Sequence, residues 1–146
     1  MYRHILVPTD GSDLSLAAVD QALALAKVLG SQVTALTVAE PLHFLPVTPA
    51  ATATLRVDYE VHVKEDGARI LGAVTEKANA AGVAIETLQI TAGDAWRGII
   101  DTAEQKGCDL IVMASHGRRG VSAFLMGSVT TKVLSHSKVP VLVYRA

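Results

Sequence analysis

The feature that most constrains this chain is a change of period that recurs along it. Short apolar runs, suited to strands buried on both faces, alternate with longer stretches whose apolar residues repeat at helical spacing. His4-Ile5-Leu6-Val7 is the first run, closed by Pro8, and Val33 to Val38 is the second. Val83 to Thr91, Asp109 to Ser115 and Val139 to Tyr144 complete five predicted strands. Between them the spacing predicts a helix from Ser12, its cap, to Leu29, with Gly30 as its stop. Further helices are expected from about Leu55 to Ala81, from Ala95 to Lys106 with Asp94 as cap, and from Gly127 to Ser135. In the long helix, Gly67 and Gly72 each cost roughly 1 kcal/mol against Ala. Strands alternating with helices at this spacing form parallel pairs joined by right-handed crossovers. The fold expected is α/β: a three-layer, doubly wound, five-stranded parallel sheet with helices on both faces.

A sheet of that kind needs enough apolar residues to cover both faces. The chain has 146 residues, the size of one domain spanning 1–146, and 50% of them are hydrophobic. Only 4% are aromatic, so Val, Ile, Leu and Ala must build the core. Glu40 to Thr54 interrupts the alternation, and Pro41, Pro46 and Pro49 argue against a regular element there. Its Leu42, Phe44, Leu45 and Val47 suggest a flap lying on the body.

Several function classes lose support at this stage. Thirteen Lys+Arg against fourteen Asp+Glu give a net charge of -1, which argues against a dedicated nucleic-acid or polybasic membrane surface. No secretory or transmembrane segment can be drawn, and the single cysteine, Cys108, gives no disulfide framework. A soluble protein of the reducing cytoplasm is the expectation. His4, His43, His62 and His136 have no metal-ligand spacing. Cys108 reads as a packed thiol and Trp96 as core cover.

Ligands of doubly wound sheets bind at the carboxyl ends of the strands, near the point where strand order reverses. That directs attention to Pro8-Thr9-Asp10, to Val38-Glu40 and above all to Ala114-Gly127. In the last segment nine residues separate Gly117 from Gly127-Ser128, and the second glycine opens a helix. Such an arrangement brings backbone N–H groups to a phosphate without Cβ obstruction. Ser128 adds a hydroxyl, the amides of Val129 and Thr130 lie in the first turn, and Arg118, Arg119 and Lys132 offer positive charge. The plainer alternatives are two tight turns at the glycines, a turn or cap for Asp10, a solvated loop face for Arg118-Arg119 and a solvated ring for His116.

ILVPTDGS near the start, MASHGRRG after the fourth strand, GSVTTKVL in the last helix and VPVLVYR at the end resemble the universal stress protein family across nearly the whole chain. The resemblance implies a sheet of order 3-2-1-4-5 and a homodimer through the last strand, residues 139–145. Its nucleotide-binding branch carries Gly-x2-Gly-x9-Gly-[Ser/Thr]; here Gly117, Gly127 and Ser128 fit, while Ala114 replaces the first glycine. Carried over, the resemblance implies ATP with Asp10 near the nucleoside and Val38 meeting adenine through its backbone. Met113 and Ala114 would flank the ribose. Gly117, Gly127, Ser128, Val129 and Thr130 would hold the phosphates, which carry Mg²⁺. Pro8, Thr9, His116, Arg118 and Arg119 complete the expected site, with no catalytic residue assigned.

The expected function is therefore an ATP-binding, dimeric regulator of the stress response with little or no catalysis, and unknown protein partners are allowed for. The alternatives are a nucleotide-free interaction protein of the same fold and a slow ATP hydrolase. No Gly-x4-Gly-Lys-[Ser/Thr] loop is present. A phosphorelay receiver would need an acidic pair after strand one and a phosphoacceptor Asp after strand three, whereas Asp10 stands alone and Thr91-Ala92-Gly93 follows the third strand.

Overall fold

The computed structural model describes residues 1–42, 49–118 and 125–145, and the side chains of 49–52 also lie outside the description. The expected flap falls mostly on residues outside it, as does Arg119. The elements run β1 (His4–Pro8), α1 (Asp13–Leu29), β2 (Gln32–Ala39), α2 (Pro49–Ala81), β3 (Ile85–Thr91), α3 (Ala95–Lys106), β4 (Leu110–Ala114), α4 (Ser128–His136) and β5 (Val141–Tyr144). The five strands form one sheet of order β3-β2-β1-β4-β5, and the paired strands run parallel. The fold class and the strand order are those expected.

Side-chain alternation along the central strands builds two cores. Ile5 and Val7 of β1, Val33 and Ala35 of β2, and Leu110 and Val112 of β4 face α1 and α2, meeting Val19, Leu23, Val74 and Ala78. Leu6, Leu36, Ile111 and Met113 point the other way, onto Ile99 and Ala103 of α3 and Val133 of α4. Burial on both faces explains why these strands read as unbroken apolar runs. Cys108 is buried in the second core, and burial pushes its thiol up to about 11, so it packs as an inert hydrophobe.

The helix ends follow local chemistry. Ser12 caps α1 by accepting from the Ser15 amide, and Gly30 and Gly107 end α1 and α3 with φ of 69° and 68°. Asp94 stands at the N-cap of α3, but its side chain makes no capping bond. One expectation is corrected: α2 begins at Pro49, not near Leu55, so Pro49–Thr54 is helical. Proline is suited to the first helical position, where its missing donor would be unpaired anyway. The last strand is shorter than expected because Val139 and Pro140 precede it, although the Pro140 carbonyl still accepts from the Ile111 amide at 2.9 Å.

Candidate functional site

The sheet order reverses between β1 and β4, which pair with each other at the centre of the sheet. A cavity of about 620 Å³ opens at the carboxyl ends of these strands. Its walls bring together Pro8, Thr9, Asp10, Val38, Met113, Ala114, His116, Gly117, Arg118, Gly127, Ser128, Val129 and Thr130, with Lys132 beside them. All the expected site residues that the structure describes thus line one space.

Asp10 organises the loops. Its Oδ1 accepts from the Ser12 amide at 3.0 Å, and its Oδ2 accepts from the Arg118 amide at 2.7 Å. The second bond joins the loop after β1 to the loop after β4. Burial alone would push this carboxyl up, but the hydrogen bonds from Ser12, Arg118 and Ser15 outweigh it and hold the group below its ordinary value. Asp10 is therefore a carboxylate at neutral pH. Gly117 is required by the same contact, since a Cβ there would lie 2.2 Å from Asp10 Oδ2. Thr9 is fixed behind it: its hydroxyl meets Ser15 Oγ at 2.7 Å, and its amide donates to the Leu36 carbonyl. Gly11, with φ of 80°, makes the turn into α1 beneath Ile70 and Arg118.

The start of α4 differs in some details from what the sequence leads one to expect. Gly127 is the N-cap residue, with φ of -63° and ψ of 155°, so its backbone needs no glycine. What needs glycine is close packing: a Cβ would lie 3.2 Å from both His116 Cα and the Ser115 carbonyl oxygen. The Gly127 amide is already donated to that carbonyl at 2.7 Å. The Thr130 hydroxyl is donated to the Ala114 carbonyl at 2.8 Å and is buried. These bonds clamp α4 onto the end of β4. The first helical amide bond is Thr131 to the Gly127 carbonyl, and no side chain caps the helix. The amides of Ser128, Val129 and Thr130 are thus left without a partner among the described residues, at the positive end of a helix and on the cavity wall. Ala114 sits in strand conformation, and no non-glycine among the described residues has positive φ. Alanine in place of the first motif glycine therefore brings a methyl group and no backbone strain.

The wall that sequence reasoning missed belongs to α2. Tyr59, His62, Val63, Asp66, Gly67 and Ile70 close the cavity opposite α4. Gln89 of β3 donates to the Val63 carbonyl at 3.0 Å, and it passes α2 at Gly67, where a Cβ would meet its amide at 2.3 Å. Tyr59 donates its hydroxyl to the Glu40 carbonyl. Arg118 reaches the same wall, with Nη1 3.6 Å from Asp66 Oδ2. His116 Nδ1 lies 3.2 Å from its neighbour Ser115 Oγ. Among the described residues no cluster of three or more metal-ligating side chains occurs, and no helix is long and apolar enough to cross a membrane.

Comparison with known proteins adds an independent line. The universal stress protein family model matches residues 1–145. A universal stress protein of Methanocaldococcus jannaschii, MJ0531, is 34% identical over 145 residues, covering 99% of this chain and 83% of the relative. YxiE, a universal stress protein of Bacillus subtilis, is also 34% identical, over 99% of this chain and 100% of its own. Among solved structures, a universal stress protein in complex with cAMP superposes with a TM-score of 0.73 at 26% identity, covering 99% of this chain and 97% of that one.

Proposed function

The chain belongs to the universal stress protein family, and from that premise we propose that it binds an adenine nucleotide, ATP, in the cavity between β1 and β4. The observation that carries this reading is the run of amides at Ser128, Val129 and Thr130, unpartnered among the described residues, on the wall of a 620 Å³ cavity. Three N–H groups at a helix N-terminus, with about half a positive charge from the helix dipole, suit a phosphate chain. Arg118 and Lys132 add charge, and Ser128 is exposed beside them with its hydroxyl. The relative solved with cAMP supports a purine nucleotide.

In this reading each residue has one task. Ser128, Val129 and Thr130 hold the phosphates through their amides. Gly127 holds none itself; it lets the turn at Ser115-His116 sit against α4. Asp10 stays ionised and is held rigidly, which suits an acceptor for a ribose or base donor. Val38, Met113 and Ala114 form the apolar wall for the nucleoside. Mg²⁺ would be carried on the phosphate oxygens and would neutralise their charge, as magnesium commonly does while keeping its waters.

The protein works as a single cytoplasmic domain paired with a copy of itself, and its bound nucleotide is a signal more than a substrate. β5 supports the pairing. It is an edge strand, Leu142 is 43% exposed on it, and unpaired strand edges invite a partner. The test is calorimetric titration of Mg-ATP into nucleotide-stripped protein, with mass spectrometry of whatever the fresh protein releases. Saturable one-site binding is expected. Stripped, folded protein that takes up no adenine nucleotide would end this reading.

A further inference from the structure

Arg118 is suspended between two carboxylates that come from different elements. Its backbone amide is bonded to Asp10 Oδ2, which fixes where the side chain starts. Its guanidinium lies 3.6 Å from Asp66 Oδ2 on α2. Asp66 is also bonded to Arg69 Nη2 at 2.5 Å, one turn further along α2. The Arg69 hydrogen bond, with the charges of Arg118, Arg69 and His62, outweighs the effect of burial and holds the Asp66 carboxyl below its ordinary value. It is therefore charged whenever a nucleotide is. Arg118 and Asp66 both line the cavity, together with Ser128 and Val129.

Resting on the nucleotide reading above, we propose that Asp66 competes with the ligand's phosphates for the Arg118 guanidinium and so sets how steeply affinity rises with phosphate charge. A guanidinium 3.6 Å from Asp66 is drawn toward that carboxylate by charge, and a phosphate must pull it away to use its donors in the bidentate manner arginine favours. The competition is tunable because the Arg118–Asp66 pair is loose and the Arg69–Asp66 pair is short. Asp66 always keeps one cation, so releasing Arg118 strands no charge. The contact also carries information away from the site. Among residues 53–66 of α2 none is buried, whereas Gly67, Ile70, Val74 and Ala78 beyond them are. The Tyr59, Gln89 and Asp66 contacts help to attach that overhanging half, so a ligand that takes Arg118 removes one of its polar fastenings.

The test is a double-mutant cycle read by competition titration with two ligands, ATP and adenosine. Asp66→Asn should tighten ATP about two- to fivefold, the range of an exposed ion pair, and leave adenosine unchanged. Asp66→Glu should return ATP to near the parent value. In an Arg118→Gln background Asp66→Asn should have no further effect on ATP, because the contested cation is gone. Equal changes for ATP and adenosine, or the same tightening with and without Arg118, would overturn the competition. Failure of the parent to bind either ligand would instead strike the nucleotide reading itself, so the two failures are distinct. Circular dichroism of these surface variants controls for folding.

Discussion

Replacing Gly117 by alanine tests whether the site is built as described. An alanine Cβ would lie 2.2 Å from Asp10 Oδ2, against the 3.0 Å below which side-chain carbons essentially never approach. The oxygen or the loop must therefore move by at least 0.8 Å, the difference of those two distances. The same oxygen accepts the Arg118 amide at 2.7 Å, so a retreat of that size breaks a bond to a charged acceptor. Such bonds contribute about 1.5–3 kcal/mol, and because water reaches the Arg118 amide the lower part of that range applies. For a chain of this length that is a fall in Tm of about 3–6 °C. The assay is thermal and urea unfolding of Gly117→Ala, Asp10→Ala and the double variant. Asp10→Ala removes the obstructing oxygen, so the second substitution should then cost almost nothing, a strongly non-additive result. Additive losses, or a Gly117→Ala protein as stable as the parent, would refute the reasoning that Gly117 exists to admit the Asp10 carboxylate.

Other expectations follow from the same geometry. Gly127→Val should weaken ATP binding and also cost about 1–3 kcal/mol of stability, since its side chain must displace the Ser115-His116 backbone. Gly127→Ala should do less of both, and Ala114→Gly should keep binding; calorimetry alongside unfolding gives the order. Asp10 is more acidic folded than unfolded, so its stabilisation is complete above its ordinary value of 3.8 and is lost as the pH falls through the lower folded value. Asp10→Asn should accordingly flatten the acid limb of stability between about pH 5 and 2, and an unchanged slope would speak against the carboxylate's role. Val141→Pro or Val143→Pro should give monomer or aggregate by light scattering, and a dimer of parental affinity from both would dismiss β5 as the interface.

Much of the fold was legible because its determinants are local. Ser12, Gly30 and Gly107 are capping residues that act on neighbours a few positions away, and α3 begins and ends where its periodicity predicts. Pro49 misled because the same residue that bars a helix interior is welcome at a first turn. The start of α4 was legible for the same local reason: Gly127-Ser128 opens a helix in the sequence itself. What local reading cannot supply is which atoms meet across the sheet. Gly127 and Gly117 read as freedom for a ligand, yet each makes room for the protein's own groups, the Ser115-His116 turn and the Asp10 carboxylate. The α2 wall left only one trace, a glycine at 67 inside a helix. Its meaning depends on Gln89, 22 residues away, whose side chain passes there.

In the proposed complex, phosphates are held by the first-turn amides of α4. Amide chemical-shift mapping of isotope-labelled protein titrated with Mg-ATP, and separately with adenosine, tests it most directly. Ser128, Val129 and Thr130 should shift with ATP and stay in place with adenosine, while Val38 and Met113 respond to both. Saturable ATP binding that leaves those three amides unmoved would contradict it.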